Sequence, residues 1–143
     1  MYVAFVFAVE DLSGMRDAKG IGMNTVEPET PLGDCTAAGR AFPVSGGVAG
    51  AVIEAIHRMD PARIVPTKAA VGLRECREMV RDAAAGKYDG YLLEGMACPG
   101  GCVAGTGTLM DARKTAALIA RYQREAPEQE AADSKHAEDP ALL

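Results

Sequence analysis

At 143 residues with 48% apolar side chains, the chain has the size and composition of one globular domain. Its formal net charge of −5 and the lack of any local run of Lys or Arg give no field that attracts phosphates, so nucleic acid is not an expected partner. Residues 1–9 are apolar but too short to span a bilayer, carry no basic start or cleavage site, and are closed by Glu10 and Asp11. No membrane partner is expected. The cysteines at 35, 76, 98 and 102 then read as reduced thiols of a cytoplasmic protein. Trp is absent and aromatics are 5%, so Leu, Val, Ile, Met and Ala must build the core, which is thin without a partner.

Over residues 2–9 periodicity alone cannot separate a buried strand from the first turns of a helix. Lys19 and Gly20 form a helix end, a cation in the last turn and a glycine after it. Residues 23–34, with Pro28, Pro31 and Gly33, form a loop. Val48, Val52, Ile56 and Met59 recur one helical turn apart and predict an amphipathic helix that ends before Pro61. Ser45-Gly46-Gly47 opens it. A glycine pair at a helix N-terminus exposes N–H groups and lets a ligand approach the backbone, or it simply meets a loop's need for positive φ.

Residues 64–71 read as a strand that Pro66 confines to an edge or to its first residues. Leu73, Cys76, Val80 and Ala83 mark the inner face of a helix ending at Gly86, and residues 91–96 are a second strand. Strand, helix and strand with short turns predict a right-handed crossover and a parallel pair. A helix over 111–124 follows, with Thr115, Leu118, Ile119 and Tyr122 inward. Residues 126–143 are polar, acidic and aperiodic, and read as a disordered tail behind a domain of residues 1–125.

Between the second strand and the last helix lies YLLEGMACPGGCVAGTGTL, residues 91–109. Cys98 and Cys102 flank three residues, and the Pro-Gly-Gly spacer lets both sulfurs face one centre with backbone N–H groups free to point at sulfur or an anion. Zinc sites repeat such a pair, and nothing here repeats it. A thioredoxin-type pair has two intervening residues. Spacing leaves two readings, metal ligands or ordinary thiols.

The string EGMACPGGCVAG, residues 94–105, resembles the last of three cysteine signatures in the large-subunit domain of iron-only hydrogenases, a signature shared with eukaryotic iron–sulfur assembly proteins of the prelamin A recognition factor type. Residues 40–56, RAFPVSGGVAGAVIEAI, resemble the segment of that domain in which a phenylalanine precedes Gly-Gly-Val and a helix. Residues 70–91, AVGLRECREMVRDAAAGKYDGY, resemble its strand-to-helix unit. Residues 2–21 resemble the helix before them, so the likeness covers about residues 2–124 and favours a first helix running to Ala18.

The resemblance implies an α/β fold, strand-helix-strand-helix with a short parallel sheet flanked by helices, like the C-terminal lobe of the hydrogenase domain. It implies a [4Fe-4S] cluster with a linked di-iron unit, Cys98 ligating the cubane and Cys102 ligating it and bridging to the di-iron unit. Cys102 and Met96 become the catalytic candidates, Met96 because the family sets a methionine against the di-iron unit; the alternative for Met96 is core filling. Gly46 and Gly47 join Cys98 and Cys102 as cofactor-binding candidates. Glu94 is either a solvated strand end or a buried carboxylate with a partner, near a proton route in some members. Cys35 and Cys76 resemble neither upstream signature and read as structural; His57 and His136 read as solvated.

The family's Thr-Ser-Cys-Cys-Pro and Pro-Cys-x-x-Lys signatures, which carry the other two ligands, do not occur in the chain. The expectation is therefore a C-terminal portion or small subunit of an enzyme of reversible H2 oxidation, inactive alone and completed by an upstream hydrogenase segment or subunit. H2, protons and a ferredoxin-like electron carrier are its expected partners. After Gly105, Thr106-Gly107-Thr108-Leu109 stand where many catalytic members have Gly-Gly-Gln-Pro. The alternative is a non-catalytic iron–sulfur sensor or assembly protein of the same family.

Overall fold

The computed structural model of the chain describes residues 5–27 and 35–137. Two five-residue strands, β1 (Thr67–Val71) and β2 (Leu92–Met96), pair in parallel, Thr67 opposite Leu92 and Val71 opposite Met96. The 12-residue helix α4 (Leu73–Ala84) connects them. The fold is thus mixed α/β, a short parallel sheet flanked by helices, as expected. Pro66 lacks a ladder N–H, so β1 begins one residue after it and Ile64 stays outside, 88% exposed.

Helix α1 (Val9–Ala18) starts later than residue 2. Residues 5–8 are not helical, and the Asp11 carboxylate accepts the Ala8 N–H at 2.9 Å, fixing the start where acidic side chains favour a helix N-terminus. The expected end at Lys19-Gly20 stands, with Gly20 at φ 66°. The expected loop 23–34 is irregular through residue 27, and the rest lies outside the described residues. Helix α3 (Gly47–Met59) keeps the expected bounds, but its buried residues are Ala49 and Ala51, whereas Val52 and Met59 of the expected apolar stripe are exposed.

The inner faces of α4 and α5 (Ala112–Arg124) differ from expectation. On α4, Met79 is the buried residue and Cys76 and Ala83 are half-buried, whereas Leu73 and Val80 are 75% and 63% exposed. On α5, Ala116, Ile119, Ala120 and Gln123 turn inward beside Thr115, and Leu118 is half exposed. Among the described residues the sheet has two strands and α5 packs mainly on a single helical turn, so each offers a narrow strip to bury against. Small side chains, Ala37, Ala38, Ala49, Ala51 and Ala70, supply most of the buried apolar residues.

The turn against which α5 packs is α2 (Ala37–Arg40), which periodicity cannot reveal in four residues. Thr36 Oγ1 accepts the Gly39 N–H at 3.2 Å, while the carbonyls of Glu128 and Gln129 accept the N–H groups of Ala37 and Ala38 at 2.8 and 3.0 Å. Residues 126–137 of the segment expected as a disordered tail are therefore docked. Ala126 is buried, a 3-10 turn forms at Ala131–Asp133, and Arg58 of α3 reaches Glu130 and Asp133 at 2.9 and 2.6 Å. The helix N-terminus supplies donors that a polar, aperiodic segment can satisfy with its backbone alone. Residues 138–143 lie outside the described residues.

Arg40 closes α2 onto α5. It is 7% exposed, and its Nε and Nη1 donate to the carbonyls of Cys35 and Tyr122 at 2.9 and 2.8 Å, with the guanidinium 3.9 Å from the centre of the Tyr122 ring. Tyr122 is in the last turn of α5, where carbonyls lack helical partners and the dipole favours a cation.

Replacing Arg40 by Ala strands two carbonyls and removes the ring contact, and is expected to lower unfolding free energy in urea by about 3 kcal/mol; Lys, without the planar fork, does not restore it. Hydrogen bonding to Arg58 holds the Asp133 carboxyl below its ordinary 3.8, and hydrogen bonding to Asp133 raises the Arg58 guanidinium above its ordinary value. The pair's contribution through Asp133 is thus present above pH 3.8 and is lost as pH falls through the lower folded value, while that through Arg58 is lost only as pH rises through the arginine range. Once corrected for intrinsic rates, the protection of the amides over 128–137 is expected to fall as pH drops below the ordinary carboxyl range, and Arg58→Ala removes that dependence.

Candidate functional site

The carboxyl ends of β1 and β2 define one rim of the sheet, the place where open α/β folds gather their ligands. The Gly72 N–H donates to Met96 O at 2.7 Å, tying the start of α4 to the end of β2. The Cys76 thiol lies 3.6 Å from both Ala70 O and Met96 O, so it serves as a weak donor inside the crossover, in keeping with a structural reading. Cys35 is exposed ahead of α2, with its sulfur against Gly39. Neither is brought into a donor set with the Cys98–Cys102 loop: among the described residues no three His, Cys, Asp or Glu side chains converge as a metal site.

Beyond Met96 the chain leaves the sheet and folds into the loop of Cys98 and Cys102. The Gly101 N–H donates to Cys98 O at 2.9 Å, and a 3-10 turn (Cys102–Ala104) continues it, with Ala104 donating to Gly101 O and Gly105 to Cys102 O, both at 3.0 Å. Cys98 is half-buried and Cys102 exposed, and neither is in a disulfide. Several N–H groups expected to point at sulfur are instead spent on loop carbonyls, which makes the loop stiff. Gly105 lies so close to the Cys102 carbonyl that a Cβ would stand 3.1 Å away, and 3.7 Å from Cys98 Sγ. A side chain there would press on the Cys102 carbonyl and stand in contact with the Cys98 thiol.

The spacer glycines serve a close approach between two loops. Gly101 has φ 98°, and a Cβ on it would come within 2.6 Å of Pro43 O and 2.7 Å of Ser45 N. Across this contact Ser45 N–H donates to Gly100 O and Val103 N–H to Pro43 O, each at 3.1 Å. The connector between α2 and α3 thus forms the floor under both cysteines.

Gly46 and Gly47, the other cofactor-binding candidates, belong to that connector. Gly46 has φ 90°, and its N–H donates to the Glu94 carboxylate; Gly47 N–H donates to Val44 O at 3.0 Å, and a Cβ on Gly47 would strike Ala41 O. Their N–H groups are engaged inside the protein, so these glycines shape the floor. Glu94 resolves as a buried carboxylate with partners, its second oxygen accepting the Ala49 N–H at 3.0 Å in the first turn of α3. Met96 lines an open groove of about 370 Å³ between α3 and β2 with Val48, Val52, Leu92 and Leu93, and neither Cys98 nor Cys102 is among the groove's lining residues.

Sequence reasoning passed over Arg40 and left Glu94 open. A lone carboxylate in an apolar strand was the available signal for Glu94; its partner lies 48 residues away, beyond any local pattern.

Two accessible thiols on a stiff glycine loop are the donor chemistry of an iron–sulfur site, and they fit half of a four-thiolate set. A family model described as the iron-only hydrogenase large subunit, C-terminal domain, matches residues 1–106, which contain the loop and its floor. No curated protein matches the chain.

Gly101→Ala should lower the unfolding free energy by roughly 2–4 kcal/mol, since it combines a disfavoured φ with a backbone clash. Urea denaturation measures it; a loss below about 0.5 kcal/mol would contradict the packed loop contact.

Proposed function

The chain belongs to the family of the C-terminal domain of the iron-only hydrogenase large subunit, and on that premise we propose that it supplies two of the four cysteine ligands, Cys98 and Cys102, of a hydrogenase active-site cluster. The observation that carries this reading is the pair of accessible thiols on one stiff loop at the carboxyl rim of the sheet, with no third donor beside them among the described residues. An upstream hydrogenase segment or subunit supplies the other two thiolates, and the chain alone is inactive.

When bound, a [4Fe-4S] cluster with its linked di-iron unit supplies the exchange of electrons and protons with H2. The chain's own contribution is placement. Cys102 is the exposed donor, reachable from outside the chain, and Cys98 is its half-buried companion. Gly105 leaves room beside Cys98, and the connector holds the loop from beneath. Met96 is positioned by the last residue pair of the sheet and contributes an apolar wall. A ferredoxin-like carrier exchanges electrons with the completed assembly. Among the described residues no helix is long and apolar enough to cross a membrane.

The reading is tested by combining the chain with a segment bearing the two missing cysteine signatures and maturing the assembly anaerobically. H2 turnover is expected from the assembly, none from the chain alone, and a loss of at least about a hundredfold on Cys102→Ser, as for removal of a metal ligand. Unchanged turnover in that variant overturns the assignment. The divergence after Gly105 favours a second reading, because Gly107 is tied to the N-terminal segment, its carbonyl accepting the Glu10 N–H at 3.1 Å and the space where a Cβ would stand taken by Ala8. A cluster with iron and sulfide but no infrared bands of CO and cyanide identifies that reading, a non-catalytic iron–sulfur sensor or assembly protein.

A further inference from the structure

We propose that Glu94 is the positioning residue of the cysteine loop, a buried carboxylate that sets where Cys98 and Cys102 stand by holding the floor beneath them. Glu94 is 7% exposed and sits four residues before Cys98 on β2. One oxygen accepts the N–H of Gly46 and the other that of Ala49, so both are committed to the first turn of α3, where the helix dipole also favours a negative charge. From Gly46 the chain runs back through Ser45 to Pro43, and those two residues make the backbone bonds to Gly100 and Val103. A closed circuit results, from Glu94 through the α3 start and the connector to the cysteine loop and back along Met96 to Glu94. Every link in it is a bond between backbone groups or between a backbone N–H and this one carboxylate.

The circuit explains the choice of side chain. An apolar residue at 94 would suit the strand but would leave the part-buried Gly46 N–H and the buried Ala49 N–H without this acceptor. Glutamine keeps the volume and one acceptor, yet turns an NH2 toward one of two N–H donors. The role also differs from proton relay, since both carboxylate oxygens are already engaged in the folded chain. The proposal rests on the reading of Cys98 and Cys102 as a donor pair only for its use, and it concerns the loop itself.

The test is alkylation of the full chain by iodoacetamide under native conditions, followed at each cysteine by tandem mass spectrometry. In Glu94→Gln, Cys98 is expected to react at least about tenfold faster than in the unaltered chain, the effect of losing a charge-assisted bond that limits local opening. Cys76, held in the α4 crossover, and Cys35, already exposed, keep their rates. Unchanged Cys98 reactivity overturns the proposal. So does an equal acceleration at Cys76, which would make Glu94 a general prop of the fold. Hydrogen exchange of the unaltered chain gives a reading that needs no variant: once corrected for intrinsic rates, the amides of Ser45, Gly46, Ala49 and Val103 open with one common protection factor. Val103 opening independently of Gly46 and Ala49 overturns the circuit. Both readouts use no iron, so failure of the clamp and failure of the chain to take up a cluster are separate results.

Discussion

The carboxylate of Glu94 on the first turn of α3 is the contact on which the arrangement of the site depends. Parallel pairing brings β1 and β2 together, but a two-stranded sheet cannot position a loop that leaves it, because nothing in the ladder extends past Met96. A buried carboxylate facing two helix N–H groups can. Its cost of desolvation is offset by two charge-assisted bonds and by the dipole, and those bonds have direction, so they fix a helix axis relative to a strand in a way that apolar packing of alanines does not. At the far side of α2, Arg40 acts with opposite sign. A buried cation meets the carbonyl end of α5 as a buried anion meets the N–H end of α3. Both devices bind helix ends to the rest of a fold whose apolar core is small.

How much of this the sequence discloses depends on the range of each signal. The 3.6-residue recurrence of Val48, Val52, Ile56 and Met59 and the run ending at Met96 are local, and both elements stand where they were expected. Pro66 marked the limit of β1 by its missing N–H. The cysteine loop was legible through its own composition, since Gly100 and Gly101 both take φ 98°. Inner faces were less legible. Leu73 and Val80 are apolar and fall on the inner face by period alone, yet a two-stranded sheet buries only the strip around Met79. Helix α2 and the docking of residues 126–137 rest on backbone bonds between segments about 90 residues apart, and polar, aperiodic residues carry no mark of such bonds. The glycines at 46 and 47 signalled an approach of backbone to something; that something is Glu94 and Ala41 within the protein.

The apolar surface left outside follows from the same geometry. Val48 and Val52 on α3 and Leu92, Leu93 and Met96 on β2 face one open groove, and among the described residues no third strand joins the sheet. These apolar side chains stay outside because a sheet of two strands offers α3 and β2 too little area to close the groove between them, and β2 leads from that groove directly into the cysteine loop.

Sharing donors sets a demand on the half-site. A cluster held by four thiolates on one chain can tolerate a loose loop, because the other three ligands keep the metal close. With two donors on each side, the free energy of ordering a mobile loop falls on the association itself and weakens it. A loop stiffened beforehand removes that cost. The turn at Cys98–Gly101, the 3-10 turn after it, the two bonds to the connector and the Glu94 clamp beneath are all made within the chain itself. The cysteine loop is thus preorganised by supporting contacts that lie within this chain, which is the arrangement that the proposed sharing of a four-thiolate site would require.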